Sequence, residues 1–168
     1  MDLVKRSLWR VPLIALVSGF FWTPCMVRLL LRFAVTAPGV IDDAASLVLH
    51  GLLTAAVVIA GGGVLLRKLP RREIFLSASL VVAYHLLLSL VQRLGGWTTG
   101  PAAVLFMKLY QPLEWTGFPF ELLWALLPRD DPSAAYLVLL SLPNYLMPYL
   151  FLLFGHGPVF RKTGGDRS

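Results

Sequence analysis

Charge and thiol chemistry are both scarce in this chain of 168 residues. Charged side chains make up 14% of it and hydrophobic ones 57%. A water-soluble fold of that composition would be coated in apolar surface it could not bury. The single cysteine, Cys25, excludes an internal disulfide. It also excludes the dithiol chemistry of four-span quinone-linked disulfide oxidases, which are similar in size but need paired cysteines. Set in an apolar run, Cys25 is expected to be a buried, inert thiol. The sequence contains no His-Glu-x-x-His helix, no exposed serine elbow and no paired-carboxylate motif. It also contains no internal repeat and no low-complexity tract.

What the chain does have is long uncharged apolar runs separated by short basic clusters, the pattern of a polytopic membrane protein. The fold class expected is all-α: a single integral membrane domain over residues 1–168 with four transmembrane helices, at roughly 11–35, 44–66, 74–91 and 133–154. At about 1.5 Å rise per residue each run crosses the hydrocarbon, with some tilt for the longest. The start of the first run lacks a signal-peptidase pattern, because Phe21, Trp22, Thr23 and Pro24 offer no small-residue cleavage site before Cys25. The formal charge of +6 is spread over the ends of apolar runs rather than gathered in a patch, which argues against nucleic-acid binding.

Orientation follows from the placement of Lys and Arg. Lys5, Arg6, Arg10, Arg67, Lys68, Arg71, Arg72, Arg161, Lys162 and Arg167 fall on one side, and only Arg93, Lys108 and Arg129 on the other. The positive-inside rule then puts both termini and the 67–72 loop in the cytoplasm, and the protein in the cytoplasmic membrane. Loops carrying Asp42, Asp43, Asp130 and Asp131 face outward.

Residues 97–128 are rich in aromatics, among them Trp97, Phe106, Tyr110, Trp115, Phe118, Phe120 and Trp124, but are broken by Pro112, Gly117 and Pro119. A fifth span here would carry Glu114 and Glu121 into lipid and strand the basic C-terminus outside. An outer interfacial or re-entrant segment between the third and fourth spans is expected instead.

Polar residues within the spans recur at helical spacing. Ser18, Phe21, Cys25, Arg28 and Arg32 form one stripe, and Asp43, Ser46, His50 and Thr54 a second. Ala78, Val81, His85, Ser89 and Gln92 form a third, and Ser133, Leu137, Ser141, Asn144 and Pro148 a fourth. Four stripes imply a polar seam, with Arg28, Arg32, Asp43, His50, His85, Ser89 and Gln92 in its outer half. The favoured reading is a non-catalytic binding or accessory role. In it Arg28 and Arg32 hold an anionic ligand or lipid head group in an outward-facing pocket. Asp43, His50, His85, Ser89, Gln92 and Asn144 line that pocket, and Glu114 and Glu121 serve as lid or proton partners.

Two other readings use the same residues. His50 and His85 on neighbouring spans have the depth match to ligate one b-type haem in an electron-transfer subunit. The same histidines with a carboxylate would suit an intramembrane hydrolase or transferase. Neither reading requires a bound metal beyond haem. The expected surroundings are the lipid bilayer and, through Ala56, Ala60 and Gly61–Gly63, a membrane-protein partner or a second copy.

Overall fold

The computed structural model describes residues 7–36, 43–96, 99–127 and 134–159. For residue 23 and residues 30–36, 43–45 and 134–135 it describes the path of the backbone alone. The helices are α1 (Arg10–Thr36), α2 (Asp43–Gly61), α3 (Arg71–Gly95), α4 (Gly100–Tyr110), α5 (Phe118–Leu126) and α6 (Ala134–Leu146). A π-helical turn, Gly62–Leu66, prolongs α2, and a 3₁₀ stretch, Met147–Phe154, prolongs α6. A second 3₁₀ stretch, Gln111–Gly117, joins α4 to α5. Four of these rods (α1, α2 with its π turn, α3, and α6 with its 3₁₀ extension) are long and apolar enough to cross a membrane.

Helix ends extend past the apolar runs because charged residues are good helix formers, so backbone chemistry sets the boundaries. α3 begins directly after Pro70, which is extended at φ −67° and ψ 141°, and ends at Gly96, whose φ of 61° suits glycine alone at no cost. Glu73 in its first turn and Arg93 in its last complement the helix dipole. The first turn of α1 is capped from another helix. The Val11 N–H donates to Ser77 Oγ at 3.1 Å, and that hydroxyl donates to the Leu8 carbonyl at 2.8 Å.

The aromatic segment is a broken hairpin inserted into the bundle. The short link from Gly95 to Gly100 turns α4 back along α3, and the two are joined by Tyr84 Oη donating to the Leu109 carbonyl at 2.8 Å and Tyr110 Oη to Ser89 Oγ at 3.0 Å. Along α5 the chain runs antiparallel to α2, with Thr54 against Trp115, Gly51 against Phe118 and His50 against Glu121. Both limbs therefore open at the same end of the bundle, the end where α1 finishes and α2 starts. The tip is among the most deeply buried parts of the molecule: Trp115 is fully buried, its ring 5.6 Å from that of Phe151. The segment thus packs among the long helices instead of lying against their outside. Residues 97–98 and 128 lie outside the described residues.

Prolines explain why the hairpin bends where it does. Pro112 and Pro119 have no N–H to return to the carbonyl four residues back. The Gln111 N–H serves Lys108 in the tighter 3₁₀ manner, and the Trp115 carbonyl accepts from Thr54 Oγ1 at 3.1 Å. Within the tip, Trp115 Nε1–H donates to the Pro112 carbonyl at 3.1 Å and Thr116 Oγ1 to the Leu113 carbonyl at 2.6 Å. Gly19 on α1 gives the tip its seat. A Cβ there would meet the Gln111 carbonyl oxygen and lie 2.6 Å from the Pro112 Cα, so any larger residue forces backbone away from backbone.

At the opposite end the chain closes on itself. Pro70 and His156 form an isolated bridge. In it the Arg71 N–H donates to the His156 carbonyl at 2.9 Å and the His156 N–H to the Leu69 carbonyl at 3.1 Å. The buried apolar core runs from Val11, Leu66 and Ile74 beside this bridge to Trp115 and Phe151 at the hairpin tip.

Candidate functional site

His50 and Glu121 come from different parts of the chain to make the most distinctive polar contact in the structure. α2 carries His50 on its inward face, one turn before buried Thr54. α5 carries Glu121 in its first turn, where the helix dipole favours a carboxylate. His50 Nδ1 lies 2.6 Å from Glu121 Oε2, short enough for a charge-assisted hydrogen bond in which Nδ1–H donates to the carboxylate. The histidine is 4% exposed, whereas the side chain of Glu121 is 45% exposed. Trp22 meets the imidazole edge-on at 4.8 Å between centroids, and Phe118 lies at 5.9 Å. With Nδ1 committed to the carboxylate, Nε2 is buried and has no hydrogen-bond partner among the described residues. A buried imidazole nitrogen left in that state costs about 1–3 kcal/mol, which marks it as the atom free to engage something else.

A second polar cluster lies between α3, α4 and α6. Ser89 Oγ accepts from Tyr110 Oη at 3.0 Å and from Tyr145 Oη at 3.1 Å. The ring of His85 packs 4.4 Å from Tyr145 and 5.8 Å from Tyr110. Nearby on α6, Asn144 Oδ1 accepts the Phe120 N–H at 3.0 Å. It thereby caps one of the N–H groups left without an intrahelical partner at the start of α5. Asn144 thus positions the helix that carries Glu121.

The residues expected to form the seam are brought together only in part. His50 joins Glu121, and His85 and Ser89 join through two tyrosines, while Asn144 braces α5. The two histidines share no neighbour in these contacts, each lying in its own aromatic nest. Arg28 is exposed on α1, and the side chains of Arg32 and Asp43 lie outside the described residues. Gln92 is half-buried and offers its backbone carbonyl to the Gly96 N–H. Glu114 is half-buried on the inserted tip. Among the described residues no three His, Cys, Asp or Glu side chains gather as a metal site.

On α1 the inward face differs from the expected stripe. Ile14, Ala15, Ser18, Gly19 and Trp22 are buried, whereas Phe21, Cys25 and Arg28 are exposed. Cys25 is therefore an exposed thiol and not the buried one expected. The reason is packing: the hairpin tip needs small residues beneath it, and Ala15 and Gly19 supply them one position away from the polar stripe. Sequence reasoning also missed Trp22, Tyr145 and the role of Tyr110 as walls of the polar sites. The one signal available, and for Trp22 alone, was the Ala15–Gly19 spacing on its helix, which marks a face able to accept close backbone.

No family model, curated protein or solved structure matches this chain.

Proposed function

We propose that this is a polytopic protein of the cytoplasmic membrane, with four spans and a re-entrant hairpin, that binds a small polar ligand at the His50–Glu121 pair without transforming it. The membrane placement rests on the four apolar rods and on a perimeter where Phe20, Val64 and Leu153 are 77%, 81% and 74% exposed. That much outward-facing apolar surface suits lipid and not water. The hairpin opens to the outside, the termini and the 67–72 turn lie in the cytoplasm, and His50 sits about 10 Å along α2 from Asp43, in the outer half.

The observation that carries the binding role is the free, buried Nε2 of a histidine whose other nitrogen is held by a carboxylate. An imidazole fixed in this way presents Nε2 to a hydrogen-bonding group of the ligand, and Arg28 adds positive charge on the outer half of α1. Native mass spectrometry of protein purified in mild detergent tests it. A small-molecule adduct should be retained by the wild type and lost on Glu121→Gln. An adduct-free wild type, or an adduct insensitive to that change, defeats the reading. The accessory role in a larger assembly belongs to the same proposal, the ligand then being a polar group of a partner helix.

The same geometry favours a second reading, acid–base catalysis. Carboxylate, Nδ1–H and free Nε2 are the orienting and proton-moving parts of a general base, with water or a substrate hydroxyl as nucleophile. An adduct whose mass changes with time in the wild type but not in His50→Gln would assign it.

A further inference from the structure

A lateral groove of about 490 Å³ lies between α1 and α2 on the outer surface of the bundle. Leu13, Val17 and Phe21 line one wall and Ala56, Ala60 and Val64 the other. The Ser18 hydroxyl, one of the few polar groups in the lining, is already spent on the Ala15 carbonyl at 2.9 Å. From Leu13 to Cys25, and equally from Leu53 to Leu65, the helical rise makes the groove about 18 Å long, a little over half of the hydrocarbon thickness of about 30 Å.

The two helices close on each other at both ends of this groove. Toward the π turn, a Cβ on Gly61 would lie 2.7 Å from the Ile14 side chain. Toward the other end, Trp22 meets His50. Helices that touch in this way have axes about 8–10 Å apart, and a third helix, about 10 Å across, cannot sink between them. An acyl chain, far narrower, can.

Cations gather toward the π-turn end, while at the other end Arg28 stands exposed one turn past Cys25. Arg10 Nη1 donates to the carbonyl of Leu65, itself a lining residue, at 2.7 Å, which fixes the guanidinium at the mouth. Arg67 and Lys68, both exposed, follow two and three residues later in the chain. The groove therefore combines an apolar slot of one-leaflet length with a basic mouth on the side proposed to be cytoplasmic.

We infer that this groove holds one acyl chain of an anionic phospholipid from the cytoplasmic leaflet, with its phosphate on Arg10, Arg67 and Lys68. The assignment rests on the membrane placement proposed above, which cysteine labelling tests separately, and does not involve His50 or Glu121. Delipidated protein in mild detergent, mixed with phosphatidylglycerol or with phosphatidylcholine of the same chains, is examined by native mass spectrometry. The wild type should keep one phosphatidylglycerol per chain at a level at least tenfold above phosphatidylcholine. Ala60→Leu, which fills the slot, and the double variant Arg67→Gln/Lys68→Gln, which changes exposed side chains only, should each lower that retention about tenfold. Equal retention of the two lipids, retention undiminished by either variant, or a lipid-free dimer overturns the inference.

Discussion

Glu121 does for His50 what water does for an exposed imidazole. A histidine 4% exposed among Trp22, Phe118 and the helix backbone has lost its solvation, and the carboxylate at 2.6 Å restores a hydrogen bond on one nitrogen. Glutamine keeps an oxygen able to accept from Nδ1–H, so Glu121→Gln should leave thermal stability in detergent nearly unchanged while abolishing ligand retention. Glu121→Leu offers no acceptor, and unfolding should then be easier by about 1–3 kcal/mol. Equal stability of the two variants would show that the contact has no energetic role. Thr54 tests the neighbouring turn of α2. Its hydroxyl serves the Trp115 carbonyl that Pro119 leaves without an N–H donor, so Thr54→Val should cost about 1 kcal/mol in the same measurement.

At the scale of elements, the hairpin shows where sequence pattern stops being informative. Pro112, Gly117 and Pro119 announce the break, and the 3₁₀ stretch falls between them. The depth of the tip was not legible, because a tryptophan between helix breakers reads equally well as an anchor at the membrane surface. What decides the matter is a residue about ninety positions away: Gly19 leaves room for the Gln111–Pro112 backbone, and no local period encodes that pairing. The α1 stripe was misplaced for the same reason. A helix that is apolar nearly all round gives periodicity no polar face to lock onto, so the few polar residues pointed to Cys25 and Arg28 when contact with the tip had selected Ala15 and Gly19. His50 and His85 were legible as inward-facing because their helices carry other small or polar residues on the same side. The seat can be tested directly. Thr116 is 1% exposed, so Thr116→Cys in a Cys25→Ser background should resist thiol reagents. Adding Gly19→Leu should lift the tip and raise the labelling rate at least tenfold. A cysteine at 116 that reacts freely without the Gly19 change would mean the tip is not seated in this way.

For the molecule as a whole, charge counting proposes which end faces the cytoplasm, and chain geometry bears only on which segments share an end. Lys5, Arg6, Arg161, Lys162 and Arg167, together with Asp42, Asp130 and Asp131, lie outside the described residues, so their contribution is one of sequence alone. The geometry supplies a different constraint. The hydrogen bonds between Leu69, Arg71 and His156, with Arg71 Nε reaching the Leu152 carbonyl at 3.2 Å, hold the 67–72 turn and the end of the last rod at one end of the bundle. An even number of crossings must then separate them. α3 and α6 supply two, and the hairpin, which returns to the end it enters from, adds none, whereas a fifth span would put His156 and Pro70 at opposite ends. Single cysteines in the Cys25→Ser background turn this into a measurement. Thr99→Cys, beside the mouth of the hairpin, should react with a membrane-impermeant maleimide in intact cells. Lys68→Cys and Val159→Cys should react only after permeabilisation, and both together. If 68 and 159 label from opposite sides, the hairpin crosses and the fold proposed for the membrane fails. If all three labels exchange sides, the bundle is inverted, and the basic mouth of the α1–α2 groove then faces the outer leaflet.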